Sequence, residues 1–128
     1  MSKQSTFVYT SIQKEGYHAF PEAANLPEFA TGDEYDVSNL AFRHNHIFLI
    51  KVWVEVTHTN RDIEFFQMRR FLLKHFGEKT IEFGSKSCEM IAADLVLVLR
   101  DKYPAAKIKI DVAEDSINGA YLEFDPEV

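Results

Sequence analysis

His44 and His46, two residues apart, are the first side chains in this sequence whose types and spacing could do chemistry. On a β-strand, residues i and i+2 point to one face with Cα atoms about 6.6 Å apart, so both imidazoles can converge on one ion. The pair shares parity with Phe48 and Ile50, which places it at the mouth of an apolar face, where water contests ligation little. Taken alone, a His-x-His pair is more often a structural or surface feature than a ligand pair. His18, in a strand-like stretch just before a proline, could make the pair a set of three, although by itself it reads as an ordinary partly buried histidine. Three histidines on a divalent ion leave one coordination position for water or substrate, which is the arrangement of catalytic zinc.

A carboxylate and a thiol come next. Glu114 has the parity of Ile108, Ile110 and Val112, so it falls at the tip of the core-facing side of its strand. It is either a solvated strand end or a carboxylate aimed at paired N–H donors, such as the edge of a guanine-like or pterin ring. Cys88 opens a helix, where the dipole can lower a thiol pKa and activate it; a small buried residue in the first turn is the commoner use of that position. The remaining groups available for proton transfer are Asp33, Glu34 and Asp36 in a carboxylate-rich stretch, and His58 in a polar break. His58 and His75 otherwise read as solvated, as does the basic cluster Arg69, Arg70 and Lys74, which could also meet ligand phosphates or an acidic neighbour.

These residues need elements to hold them. Residues 6–20 read as extended, broken at Lys14-Glu15-Gly16. Residues 21–40, with two prolines and a Thr31-Gly32-Asp33 turn signal, read as a long functional loop. The clearest strand runs from about Phe42 to Thr57, because Phe48, Ile50, Val52, Val54 and Val56 share one parity. A helix over 62–76 follows from the stripe Phe65, Met68, Leu72 and Phe76, with Gly77 as its stop. A second helix starts at the N-cap Ser87, carries Glu89 in its first turn and ends at Pro104. Its core face is read as Ile91, Leu95, Val98 and Lys102, with Met90 and Leu99 beside them. Lys107–Val112 alternates strictly, Asn118-Gly119 turns, and Ala120–Phe124 closes the chain. The predicted order is β-β-α-α-β-β: an α+β fold with a four-stranded antiparallel sheet, two helices on one face, and sheet edges that invite closure with other subunits.

Composition sets the frame. A chain of 128 residues predicts one domain, 1–128, and 46% hydrophobic residues suffice for a core without disulfide or metal support. Eleven Phe predict wide buried faces, a subunit interface among them. The net charge of −6 argues against a nucleic-acid partner, which calls for a basic footprint. One cysteine cannot form an internal disulfide, the N-terminal residues hold no signal-peptide apolar block, and no apolar run approaches the roughly 20 residues of a membrane span. The expectation is a soluble cytoplasmic protein without a membrane partner.

In this order these residues resemble the tunnelling-fold superfamily, and within it 6-pyruvoyl-tetrahydropterin synthase and 6-carboxytetrahydropterin synthase. The matching places are His18; His44-Asn45-His46; Ile63-Glu64-Phe65; Lys86-Ser87-Cys88-Glu89-Met90; and Glu114-Asp115 with Ala120-Tyr121 beyond, so the match spans about residues 7–124. The resemblance implies that His18, His44 and His46 bind Zn2+, and that Glu114, with Glu89, contacts a pterin or purine nucleotide. It also implies a homo-oligomer, commonly a hexamer, whose strands close into a barrel. The chain departs from that family in its acid–base apparatus. The stretch Tyr35–Arg43 lacks the synthases' cysteine, and Phe76–Gly84 lacks their Asp-His pair. Two functions follow as expectations: a zinc-dependent lyase-type enzyme with Asp36, His58 or Cys88 as substitute catalytic groups, or a binding protein that sequesters a purine or pterin nucleotide without turnover.

Overall fold

The computed structural model describes residues 4–127. Strand β1 (Thr6–His18) pairs antiparallel with β2 (His44–Val56) along its whole length, Thr6 opposite Val56 and His18 opposite His44. On its other side β2 pairs with β4 (Ile108–Glu114), and β4 pairs with β5 (Asn118–Phe124), both antiparallel. A short strand, β3 (Ile81–Gly84), lies parallel to the end of β1 and completes a sheet of order β3-β1-β2-β4-β5.

Helices α2 (Phe65–Phe76) and α3 (Cys88–Lys102) supply the apolar cover of this sheet. Alternation in the strands puts Ile12, Phe48, Ile50, Val52, Val54, Ile108, Ile110 and Val112 on the covered face, where each is at most 2% exposed. Met68 and Leu72 of α2, and Ile91, Ala92, Leu95 and Leu99 of α3, pack onto them. Burying each such aliphatic chain stabilises the fold by about 1.5–3 kcal/mol before entropy is counted. Both helices begin at capped positions. Glu64 accepts a hydrogen bond from Phe66 N and Ser87 accepts one from Met90 N. Gly77, at φ 74°, ends α2 in a conformation that costs a glycine little. The opposite sheet face carries Tyr9, Lys51, Trp53 and Tyr121, with the Lys51 ammonium 4.5 Å from the Tyr9 ring centre and 4.8 Å from that of Trp53.

The mixed α+β class holds, but among the described residues the sheet has five strands and is not wholly antiparallel, and there are three α-helices. β3 is four residues long, too short for periodicity to reveal. The expected loop at 21–40 contains two 3-10 turns, Pro21–Asn25 and Pro27–Phe29, and helix α1 (Glu34–Ala41). Asp33, read as part of a turn, caps α1 by accepting from Tyr35 N at 2.9 Å. α1 has no buried residue, so no apolar stripe marks it in the sequence. The buried face of α3 is also rotated from the expected one. Cys88, Ala92 and Val96 join Ile91, Leu95 and Leu99, while Met90 is 55% exposed. Phe65, placed on the core stripe of α2, is 58% exposed, and Phe42 and Phe66 are exposed as well. No helix among the described residues is long and apolar enough to cross a membrane.

Candidate metal centre

The β1–β2 register builds the centre. His18, the last residue of β1, faces His44, the first of β2, and His46 lies opposite Gly16. All three imidazoles rise from the helix-covered side of the sheet. Ring centres are 4.6 Å apart for His18 and His44, 4.8 Å for His44 and His46, and 5.3 Å for His18 and His46. One potential ligand atom from each lies within 4.8 Å of the other two. Phe48, fully buried, forms the floor with its ring edge-on to His18 and His46, and Phe83 packs against Phe48 from the side.

Each imidazole is tethered through the same nitrogen. His18 Nδ1 donates to Lys86 O at 3.0 Å, His44 Nδ1 to Phe42 O at 2.7 Å, and His46 Nδ1 to Asp115 Oδ2 at 2.6 Å. A carbonyl or carboxylate oxygen only accepts, so Nδ1 carries a hydrogen in every ring and Nε2 is the nitrogen these tethers leave for a ligand. Metal-ligating histidines have this outer arrangement, with one nitrogen fixed and the other free to ligate. His18 Nε2 is a buried side-chain atom without a hydrogen-bond partner among the described residues. It does approach Glu114 Oε1 to 3.0 Å, but without the alignment of a hydrogen bond. Such an orphaned nitrogen costs about 1–3 kcal/mol unless something else meets it.

Glu114 ends β4 opposite Phe48, which brings its carboxylate to the same place. Oε1 contacts His18, Oε2 lies 3.3 Å from His46 Nε2, and the Cys88 thiol donates to Oε1 at 3.8 Å. Asp115 follows in the left-handed region at φ 52°, a conformation an aspartate tolerates better than most residues. It is fixed to β2 twice over. Its N–H donates to Ile47 O and its Oδ1 accepts from Ile47 N, both at 2.9 Å. The bond from His46, then that from Ile47, holds the Asp115 carboxyl below the ordinary carboxylate range, so it remains an acceptor. Three imidazoles with an adjacent carboxylate suit a borderline divalent ion of the first transition row.

The structure therefore brings together His18, His44, His46, Glu114 and Cys88. Of the two roles open to Cys88, the structure carries the commoner one, a small buried residue in the first turn of α3. Burial, then the charge of Glu114, pushes its thiol up to about 12, so the helix N-terminus does not activate it. His58 lies past the far end of β2, roughly 30 Å along the strand from His46, too far to serve this centre within one chain. Asp36 accepts from Thr31 Oγ1 at 2.6 Å and Asp33 caps α1, so both serve local structure; Glu34 is an exposed residue of that helix. Glu89 is exposed on the first turn of α3 and touches none of the three histidines. Asp115 and the carbonyls of Lys86 and Phe42 were not foreseen as the groups that orient the rings. Only the adjacency of Asp115 to Glu114 hinted at a part for it.

No protein-family model matches this chain, and no curated protein matches it.

Proposed function

We propose that the protein is a zinc-dependent enzyme of lyase type, acting on a pterin or guanine-derived nucleotide, on a tunnelling fold like that of the 6-pyruvoyl- and 6-carboxytetrahydropterin synthases. One observation carries this reading: three imidazoles, each tethered at Nδ1, offer ligand atoms within 4.8 Å of one another, and Nε2 of His18 and of His46 lies against Glu114. Zinc accepts imidazole and carboxylate donors without demanding a geometry of its own, and when bound it supplies polarisation of a substrate carbonyl or hydroxyl. The chain's own part is to hold the three rings, to exclude water on the Phe48 side, and to present the Glu114 carboxylate to N–H donors of a heterocycle. A cavity of about 280 Å3, walled by Phe76, Phe83, Ile91 and Leu95 with Lys86 and Asp94 on its rim, shares Phe83 and Lys86 with this region.

A homo-oligomer, hexameric or otherwise closed into a barrel, belongs to the same proposal. β1 is paired on its outer side only at Gly16–His18, and β5 has no outer neighbour among the described residues, so two sheet edges are open to other copies. Proton transfer by His58 then depends on a neighbouring copy.

The Cys88 thiol favours a second reading. A group pushed up to about 12 and bonded to Glu114 is a poor proton acceptor, which suits a protein that binds the heterocycle and does not turn it over. Elemental analysis of freshly purified protein and of the His46→Ala variant tests the metal on which the enzyme reading depends. About one zinc per chain, lost in the variant, is expected. Incubation with pterin and deazaguanine precursors, with mass spectrometry of any retained ligand, then separates the two: product formation supports the enzyme, and tight retention without product supports the binder. Absence of metal from the parent protein overturns the enzyme and leaves the binder.

A further inference from the structure

We infer that Glu114 is itself the fourth metal ligand when no substrate is bound, closing the three-histidine centre with a carboxylate from β4. The inference rests on the metal reading above, and begins from distances. Corners of a tetrahedron set 2.0–2.1 Å from a central zinc are about 3.3 Å apart. Glu114 Oε1 is 3.0 Å from His18 Nε2 and Oε2 is 3.3 Å from His46 Nε2. The carboxylate thus already stands off two imidazoles by one edge of a coordination tetrahedron. The imidazole ligand atoms lie within 4.8 Å of one another.

Electrostatics points the same way. With Nδ1 of His18 and His46 donating to Lys86 O and Asp115, both Nε2 atoms face the Glu114 carboxylate. A carboxylate oxygen this close to an imidazole nitrogen calls for positive charge between them, carried by a proton on the nitrogen or by a bound cation. One divalent cation meets both nitrogens and the carboxylate together, and also removes the orphaned state of His18 Nε2. The carboxylate is held in place for this. Glu114 is the last residue of β4, Asp115 behind it is bonded to Ile47 through both its N–H and its side chain, and the Cys88 S–H reaches Oε1. A consequence is that a heterocycle offering adjacent N–H donors competes with the metal for Glu114, and opens a coordination position only as it binds.

Cobalt(II) substitution tests this by visible absorption, without reference to turnover. The parent protein is expected to give the intense bands of a four-coordinate ion, unmoved by added azide because no position is open. Glu114→Gln is expected to take up cobalt with at least roughly tenfold weaker affinity, and to show bands that azide shifts. Azide-sensitive bands in the parent overturn the inference without need of any variant. So do identical spectra and affinity in the parent and Glu114→Gln. Failure of the parent to bind cobalt or zinc overturns it together with the metal reading.

Discussion

Gly16 lies directly opposite His46 in the β1–β2 ladder, and the side chain it lacks is the space that the Phe83 ring fills. A Cβ at Gly16 would stand 2.6 Å from Phe83 Cε2 and 3.1 Å from Phe48 Cε2. Both rings wall the centre, so the glycine sets how closely they pack beside His18 and His46. Gly16→Ala should lower stability by about 1–3 kcal/mol, the usual range for forcing an extra carbon into a filled interior. Urea denaturation measures this. Adding Phe83→Leu should recover part of the loss, and strictly additive effects of the two changes would show that the ring is not what Gly16 accommodates.

Asp115 should govern metal affinity without governing the fold. It holds His46 through Nδ1 and Ile47 through its N–H, using a different oxygen for each. Asn tolerates the left-handed backbone but has only one oxygen, so Asp115→Asn loses one bond and sets an amide N–H against a donor. Loss of such an outer partner typically weakens metal binding about 10–100-fold. Titration against a chromophoric chelator should find a fall of that size, with far-UV circular dichroism unchanged. Equal affinity in both proteins would show that His46 needs no such support.

Much of this was legible in the residues, and the remainder has physical reasons. The unbroken parity of Phe48 to Val56 showed which side of β2 is buried, and therefore that His44 and His46 share that side. The partnership of His18 with His44 was not readable from spacing, because it depends on the register of two strands joined by 25 residues of loop, 3-10 turn and α1. α1 hid because it buries nothing, and β3 because four residues carry no period. The helix-dipole argument for Cys88 was sound in kind but lost to burial, the commoner use of that position, and to a neighbouring anion that sequence does not show. Asp115 was missed because its work depends on a left-handed turn that folds its carboxylate back onto β2.

Cys88 should resist alkylation in the native protein. Its thiol is pushed up to about 12, first by burial and then by Glu114, so almost none is thiolate at pH 8. Iodoacetamide at that pH should leave native Cys88 unmodified over a period that fully labels it in denaturant, as mass spectrometry would show. A folded-state pKa above the unfolded one favours the native state below the unfolded value, near 9, and this contribution is lost as pH rises toward 12. Cys88→Ala should therefore flatten the alkaline limb of stability. Rapid native labelling at pH 8 would mean that the thiol is neither buried nor suppressed.

At the other end of β2, Asp62 should contribute an acid-sensitive share of stability. Its Oδ2 accepts from Thr57 N at 2.7 Å and from Thr57 Oγ1 at 2.9 Å, closing the loop between β2 and α2. The backbone bond from Thr57, then its hydroxyl bond, lowers the Asp62 pKa from the ordinary value of 3.8. The folded state thus favours the carboxylate more than the unfolded chain does. The contribution is complete above the unfolded value, near 4, and is lost as pH falls through the lowered folded value. Asp62→Asn should melt below the parent protein at pH 7. The gap between the two melting temperatures should narrow below pH 4 and close in stronger acid, where the parent's own carboxyl is protonated. A gap that stays constant from pH 7 into strong acid would show that the charge on Asp62 contributes nothing, and that the loop is held by the shape of the side chain alone.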